Sequence, residues 1–273
     1  MRRAREHSGF TLIEVVVAIT ISAIVLVFVA MFITAPVNAF DAQSRHTKLA
    51  AGAVDAWPQV ETDLRAALPN SVRTRRNGSF VALEMLSVID GVRFMQPTDA
   101  PFKVAGSFRG ATPGIPMNGV YLSVGNTGLA GADAYALTGS MTPASTVQFT
   151  ALAANEEQIT VTPAANLTAS SPKNLVYLVS GPVTYLCDES QGTLRRYSGY
   201  NVLPSQTSWD SPAKFSNAGF AGTLIARGLS TCNFVVWPLS GGTQQTVALH
   251  LTSTDPSGDS VSLLHTTRTE YVP

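Results

Sequence analysis

The beginning of the chain holds a long apolar run with almost no polar interruption. It extends from Phe10 to Val37, and Glu14 is the only ionisable residue inside it. A helix of that length would measure about 42 Å, whereas the hydrocarbon core of a bilayer is about 30 Å thick. The pattern therefore predicts a helix that can span a membrane. An acid inside such a helix costs about 2.5–3.5 kcal/mol, so we expect Glu14 to have a partner.

After this run the chain becomes polar but keeps a helical period. Residues spaced by three, four or seven form one stripe: Phe40, Thr47, Ala50, Val54, Trp57, Glu61, Leu64 and Leu68. The stripe predicts that the helix continues to about Leu68 as an amphipathic helix whose apolar side packs on a downstream domain. Because proline removes a backbone donor, we expect a kink or the membrane exit at Pro36, an interruption at Pro58 and the helix end near Pro69.

From Asn70 onward the apolar period changes to two, which predicts β-strands. Strand-like runs lie at 80–88, 92–95, 120–124, 146–150, 158–162, 175–180, 183–187, 193–197, 223–227, 232–237, 246–253 and 261–268. Asp90-Gly91 is a typical hairpin pair, residues 255–259 predict the turn of a final antiparallel pair, and 108–144 predicts a long loop or insertion. We therefore expect an α+β fold. Its long N-terminal α-helix, transmembrane in the first half and amphipathic in the second, packs on an antiparallel β-sheet domain.

The charge balance does not favour a nucleic-acid partner. Lysine plus arginine and aspartate plus glutamate each number 18, and the formal net charge is zero, whereas nucleic-acid binding usually needs a basic face. Arg65, Arg73, Arg75 and Arg76 do form a basic cluster, but no aromatic residues interleave with them to stack bases. A solvated face or an intersubunit salt bridge is the favoured interpretation of this cluster.

No pattern nominates a catalytic residue, a cofactor or a metal site. His250 and His265 could be neighbours on the final hairpin, but the chain lacks the ligand spacing of a zinc site. The glycines at 125, 128 and 131 do not form a nucleotide loop. Residues 255–259 are too few for an EF-hand, although a loose calcium site stays open. The sequence therefore predicts no enzyme.

The residues at the start of the apolar run form a specific motif. A basic head at 1–8 precedes the stretch G-F-T-L-I-E at 9–14. This stretch resembles the type IV prepilin signal, or N-methylation motif, of type IV pilins and pseudopilins. The resemblance implies that a prepilin peptidase cuts after Gly9 and methylates the new amine of Phe10. It also implies that Glu14 docks on the amine of a neighbouring subunit, a charge pair that would fix register in a low dielectric.

Three other interpretations of the N-terminus stay open. A secretory signal peptide would be cut after Val37-Asn38-Ala39, but its apolar region is normally shorter. A plain single-span anchor explains the length of the run but not the combination of Gly9, Phe10 and Glu14. A buried helix of a soluble protein would show a polar face.

Stretches farther along the chain are similar to MshO-type minor pilins of the mannose-sensitive haemagglutinin (MSHA) type IV pilus. They lie at 64–73, 182–188, 192–200 and 261–265. J-type pseudopilins of type II secretion and W-type minor pilins share the N-terminus and a similar size, so they are the nearest alternatives.

The resemblance implies four segments: a leader peptide at 1–9, a transmembrane and assembly helix at 10–37, an amphipathic helix at 38–69 and a β-rich periplasmic or extracellular domain at 70–273. It implies a single-pass inner-membrane protein that later enters a pilus. Its partners would be the lipid bilayer, prepilin peptidase, other major and minor pilins and the inner-membrane assembly platform.

The function that the resemblance implies is that of a minor pilin that helps to initiate pilus assembly or occupies the tip. A J-type pseudopilin is one alternative. A membrane-anchored adhesin domain that does not polymerise is another, and an anchored enzyme is a third.

The two cysteines are expected to lie on the far side of the membrane. The basic head favours the cytoplasm by the positive-inside rule, so Cys187 and Cys232 would lie in the oxidising periplasm of a bacterium. Cysteines in that compartment can pair. We expect a Cys187–Cys232 disulfide, with two buried free thiols as the alternative.

Overall fold

The computed structural model describes residues 11–95, 102–153, 156–164, 167–171, 173–238, 245–255 and 257–269. The chain divides into two compact units, Met1–Lys48 and Leu49–Pro273. Helix α1 (Leu12–Arg65) begins in the first unit and ends in the second. Pro36 and Pro58 both lie within it, and it ends four residues before Pro69. The helix thus continues through Pro58 without the expected interruption.

The second unit contains twelve described strands and a short helix. The strands are β1 (Arg73–Asn77), β2 (Phe80–Phe94), β3 (Phe102–Ala105), β4 (Met117–Val124), β5 (Ser145–Ala153), β6 (Glu156–Thr162), β7 (Leu175–Asp188), β8 (Thr193–Ser198), β9 (Thr223–Arg227), β10 (Leu229–Pro238), β11 (Gln245–Thr254) and β12 (Ser260–Thr269). Helix α2 (Pro212–Asn217) precedes β9. All pairings between these strands are antiparallel, so the α+β prediction is confirmed.

The long strands β2 and β7 form the centre of a nine-stranded sheet. They pair from Phe80 opposite Asp188 to Arg93 opposite Leu175, with register shifts between Ser87 and Asp90. The predicted hairpin at Asp90-Gly91 is therefore wrong, because both residues lie inside β2. The Asp90 carboxylate accepts hydrogen bonds from the backbone N–H groups of Gly91 and Arg109, so it stabilises an irregular point of a strand and not a turn.

Six of the strands close into a ring. β2 pairs with β7, and β7 pairs with β4. The strands β5, β6 and β3 follow in that order around the ring, and β3 pairs with β2 to close it. A single hydrophobic cluster takes side chains from all six strands, with Leu122, Phe149, Ile159 and Leu178 fully buried. Inward-facing side chains of this kind fill the interior of a small β-barrel.

The other half of the β2–β7 pair faces a different core. It is extended by β1 on one side and by β8 and β9 on the other, while β10, β11 and β12 form a separate three-stranded sheet. One hydrophobic cluster joins Val60 and Leu64 of α1 to Leu83 of β2, Tyr185 of β7 and Leu249 of β11. The C-terminal part of α1 thus contributes to the same core as both sheets, which explains its amphipathic pattern.

The final two strands form the expected antiparallel pair. β11 and β12 are in register from Gln245 opposite Thr269 to Thr254 opposite Ser260. In the connection, the backbone N–H of Asp255 donates to the carbonyl of Asp259, and the Asp255 carboxylate accepts from the N–H groups of Ser257 and Asp259. This confirms the turn predicted at 255–259, although residue 256 lies outside the described residues.

Candidate functional site

The described part of the N-terminal motif begins one residue after the predicted cleavage point. Gly9 and Phe10 lie outside the described residues, whereas Thr11 and Glu14 lie at the start of α1. The Glu14 N–H donates to the Thr11 carbonyl (3.1 Å) and to its Oγ1 (3.4 Å). Thr11 and Glu14 thus have the spacing of a capping box, T-x-x-E. This spacing is a local signal for the helix start that the apolar pattern alone does not contain.

Glu14 has an exposed side chain at the N-terminal end of the helix. The N–H groups of a first helical turn carry a partial positive charge that favours an acid at this place. Intrahelical electrostatics therefore offset part of the cost of an acid beside an apolar run. The rest of that cost is the physical reason to expect a partner for Glu14.

Residues Leu12–Ile33 of α1 are long and apolar enough to cross a membrane, with a mean hydropathy of 3.0. Their large apolar side chains are exposed, from 44% for Val15 to 84% for Leu12. The Thr20 hydroxyl is satisfied within the helix, because its Oγ1 donates to the carbonyls of Val16 and Val17. A helix that is apolar on all sides needs lipid or other helices around it.

The basic cluster is engaged within the chain. Arg65 pairs with Glu61, Arg73 with Glu84, Arg75 with Asp210 and Arg76 with Glu189, at distances of 2.6–2.9 Å. The side chains of Arg65, Arg75 and Arg76 also stay exposed to solvent, at 69%, 41% and 49%, as a solvated face requires. Glu61 lies one helical turn before Arg65 on α1, whereas Glu84, Asp210 and Glu189 lie on other segments of the fold, which is why the linear sequence did not reveal those three.

In two of these pairs the carboxyl group is buried and its pKa is shifted. Burial raises the pKa of the Glu84 carboxyl, although Arg73 and Tyr200 both donate to it. Burial also acts on the Asp210 carboxyl, but hydrogen bonds from Lys214 and Arg75 hold its pKa below the ordinary value. Both acids connect strands to the loops that follow β8, so they hold the domain together.

A disulfide connects the two sheets. Cys187 of β7 and Cys232 of β10 are bonded, with their Cα atoms 6.4 Å apart. The Glu189 carboxylate accepts a hydrogen bond from the backbone N–H of Cys232 (3.0 Å). Arg76 Nη2 donates to the backbone carbonyl of Cys232 (2.8 Å). The hydrogen bonds from Arg76 also lower the pKa of the Glu189 carboxyl. One ion pair therefore fixes the backbone of a disulfide cysteine on both sides.

Asp63 near the end of α1 forms a second polar connection. Its carboxylate accepts from the Tyr185 hydroxyl (2.6 Å) and from Arg196 Nε (2.6 Å). The hydrogen bond with Asp63 raises the pKa of Arg196. Burial, followed by its own hydrogen bond to Asp63, raises the pKa of the Tyr185 hydroxyl above its usual range. The sequence analysis missed these three residues, because 122 and 133 positions separate Asp63 from its partners.

The histidines of the final strand pair lie on opposite faces of the sheet. His250 pairs with Leu264 and His265 with Leu249, so the two rings do not share a face. The His265 ring lies 3.5 Å from that of Trp57 on α1. Among the residues that the structure describes, no three His, Cys, Asp or Glu side chains form a group suited to a metal ion.

Comparison with known proteins matches the N-terminus alone. A family model, the prokaryotic N-terminal methylation motif, matches residues 5–33. No curated protein and no solved structure matches the chain. The matched segment contains the G-F-T-L-I-E stretch and the apolar part of α1, Leu12–Ile33, and it indicates a type IV pilin-like protein.

Proposed function

We propose that this protein is a minor subunit of a type IV pilus of the MSHA type, which helps to initiate assembly or occupies the filament tip. The observation that carries the proposal is the methylation motif at 5–33, which includes the start of an apolar helix with Glu14 in its first turn. An antiparallel β-domain follows this helix in the chain. That combination suits a subunit that is stored in the membrane and later packed by its helix.

In the proposed mechanism, the apolar helix holds the subunit in the inner membrane until assembly. Prepilin peptidase cuts after Gly9 and methylates the amine of Phe10, which keeps its positive charge as methylated lysine does. Glu14 then pairs with the corresponding amine of the adjacent subunit. Because an unpaired charge in lipid is costly, only the register that joins the two charges is favourable.

The size of the second unit favours a terminal position. It spans Leu49–Pro273 and contains a closed six-stranded ring beside the shared core. A domain of this bulk would crowd its neighbours in a repeated shaft, whereas a tip subunit has neighbours on one side only. The Cys187–Cys232 disulfide suits a domain that works outside the cytoplasm.

The test of this function is a Glu14→Ala variant of the full chain in cells that produce the pilus. We expect the variant to be cut and methylated but lost from sheared extracellular filaments, because it lacks the docking charge. The matched control is Asp41→Ala, which removes another exposed acid of α1 and should leave incorporation unchanged.

The same experiment distinguishes the alternatives. Unchanged incorporation of Glu14→Ala would contradict the docking mechanism. A wild-type chain that stays in the membrane while the cell forms filaments would favour a non-polymerising anchored adhesin. A J-type pseudopilin would instead be needed for protein secretion and dispensable for surface pili.

A further inference from the structure

The strands at the ends of the two described sheets differ in how their edges are protected. The nine-stranded sheet ends in β1 and β9, and the three-stranded sheet ends in β10 and β12. An unpaired edge presents backbone N–H and C=O groups to any extended chain. Proteins normally block such edges with charges, short length, irregular register or a covering element.

Three of these four end strands carry such a block. β1 has three arginines in five residues. β9 has only five residues, and its register on β8 shifts between Leu194 and Arg195. β10 lies against β1 and β2, where Arg76 and Glu189 hold the backbone of Cys232.

β12 has none of these protections among the described residues. It is ten residues long and pairs with β11 without a register shift from Ser260 to Thr269. It contains no proline, and Arg268 is its only lysine, arginine, aspartate or glutamate. Leu264, near its middle, is 66% exposed. A long, regular edge with little charge is a template for the addition of a strand from another chain.

We propose that the free edge of β12 binds an extended strand of a neighbouring type IV pilin-like subunit. That strand would carry an acidic side chain facing Arg268 and an apolar side chain beside Leu264. The inference rests on the proposed function, since it assigns one contact through which the subunit recognises its neighbour.

The charge of the sheet determines this choice of partner. β10, β11 and β12 contain no aspartate or glutamate, so Arg268 has no acid within its own sheet. Opposite charges across a strand pair are favourable, whereas unmatched ones add nothing. A second copy of the chain fits less well, because antiparallel pairing of two β12 strands sets Arg268 against a strand without an acid.

The experiment uses the full chain in cells that assemble the filament, with a photo-crosslinking amino acid at Ser262 or Thr266. Both positions are exposed on β12, and the matched control position is Thr223, which is exposed on β9. We expect ultraviolet light to link the β12 positions, but not Thr223, to another subunit. Mass spectrometry should identify that subunit by its own N-methylated phenylalanine start.

Two substitutions test whether the crosslink depends on the edge of β12. Leu264→Lys adds a charge to the edge, and Arg268→Glu reverses the charge that selects the partner. Each should reduce the yield of the link about tenfold, while Thr223→Lys should leave it unchanged. Formation of the Cys187–Cys232 disulfide in each variant checks that the domain has folded.

The remaining outcomes overturn the inference in distinguishable ways. Links to a second copy alone, or equal links from Thr223, would rule out the proposed partner or the proposed edge. No link from β12 in a chain that begins at methylated Phe10 and enters filaments would overturn the edge contact and leave the proposed function standing. A chain that is never processed would overturn both.

Discussion

At the end of α1, the Asp63 carboxylate makes polar contacts to two strands of the nine-stranded sheet. Asp63 is 8% exposed, and its carboxylate binds one side chain from β7 and one from β8. These bonds orient the end of α1 on the sheet, while the neighbouring Val60 and Leu64 supply apolar contact. The polar contact adds direction to a core that would otherwise be held by non-directional burial alone.

Replacing Asp63 with alanine should therefore destabilise the second unit. Loss of the carboxylate leaves Arg196 and the Tyr185 hydroxyl without their acceptor, and we expect a fall of about 2–4 kcal/mol in the free energy of unfolding. Urea unfolding of the detergent-solubilised full chain measures it. Asp55→Ala, at an exposed position of the same helix, should change stability by less than about 0.5 kcal/mol. Equal losses for both variants would contradict this account of Asp63.

At the scale of the elements, the disulfide bond links β7 to β10 and stabilises the fold. Cys187 and Cys232 are both fully buried, and the bond between them closes a loop with a sequence separation of 45. In the chain-entropy treatment, closing a loop of that size restricts the unfolded chain and stabilises the fold by about 4 kcal/mol.

The double variant Cys187→Ala with Cys232→Ala should thus unfold at a lower urea concentration. We expect a loss of about 2–4 kcal/mol without reductant. Under reducing conditions the wild-type chain should approach the variant, because its unfolded state is then no longer cross-linked. A wild-type chain whose midpoint equals that of the double variant without reductant would show that the bond does not form.

The strands were largely predictable from the sequence, but their pairing was not. Alternation of apolar residues located ten of the twelve described strands. It missed the short strands β1 and β3, and it divided the single strand β7 at residues 181–182. The predicted loop at 108–144 contains β4. The sequence pattern also divided β2 at Asp90-Gly91, since that pair usually forms a turn, whereas here the Asp90 carboxylate stabilises an irregular strand. The closed ring depends on partners far apart in sequence, such as Phe102 opposite Ile159, which local patterns do not contain.

The methylation motif was recognisable in the sequence for a different reason. Gly9, Phe10 and Glu14 form a linear motif, so their spacing alone carries the information. The arginines at 73, 75 and 76 gave no such signal. Their acids, Glu84, Asp210 and Glu189, are brought to them by the fold, and charge composition alone could only suggest a surface patch.

Across the whole molecule, a membrane-compatible helix and a β-domain belong to one chain, in two compact units. The apolar helix needs lipid or neighbouring helices around it. The domain has a buried core of its own, a disulfide and internally paired charges. In the proposed account, these two requirements are met in turn, first in the inner membrane and then in the filament.

The measurement that tests this account most directly is the intact mass and N-terminal chemistry of the protein recovered from membranes. The account predicts a chain that begins at N-methylated Phe10 and lacks residues 1–9. A chain that begins at Phe40 would instead identify a secretory signal peptide. A chain that still begins at Met1 in cells with active prepilin peptidase would identify a plain anchor, and either result would contradict prepilin processing.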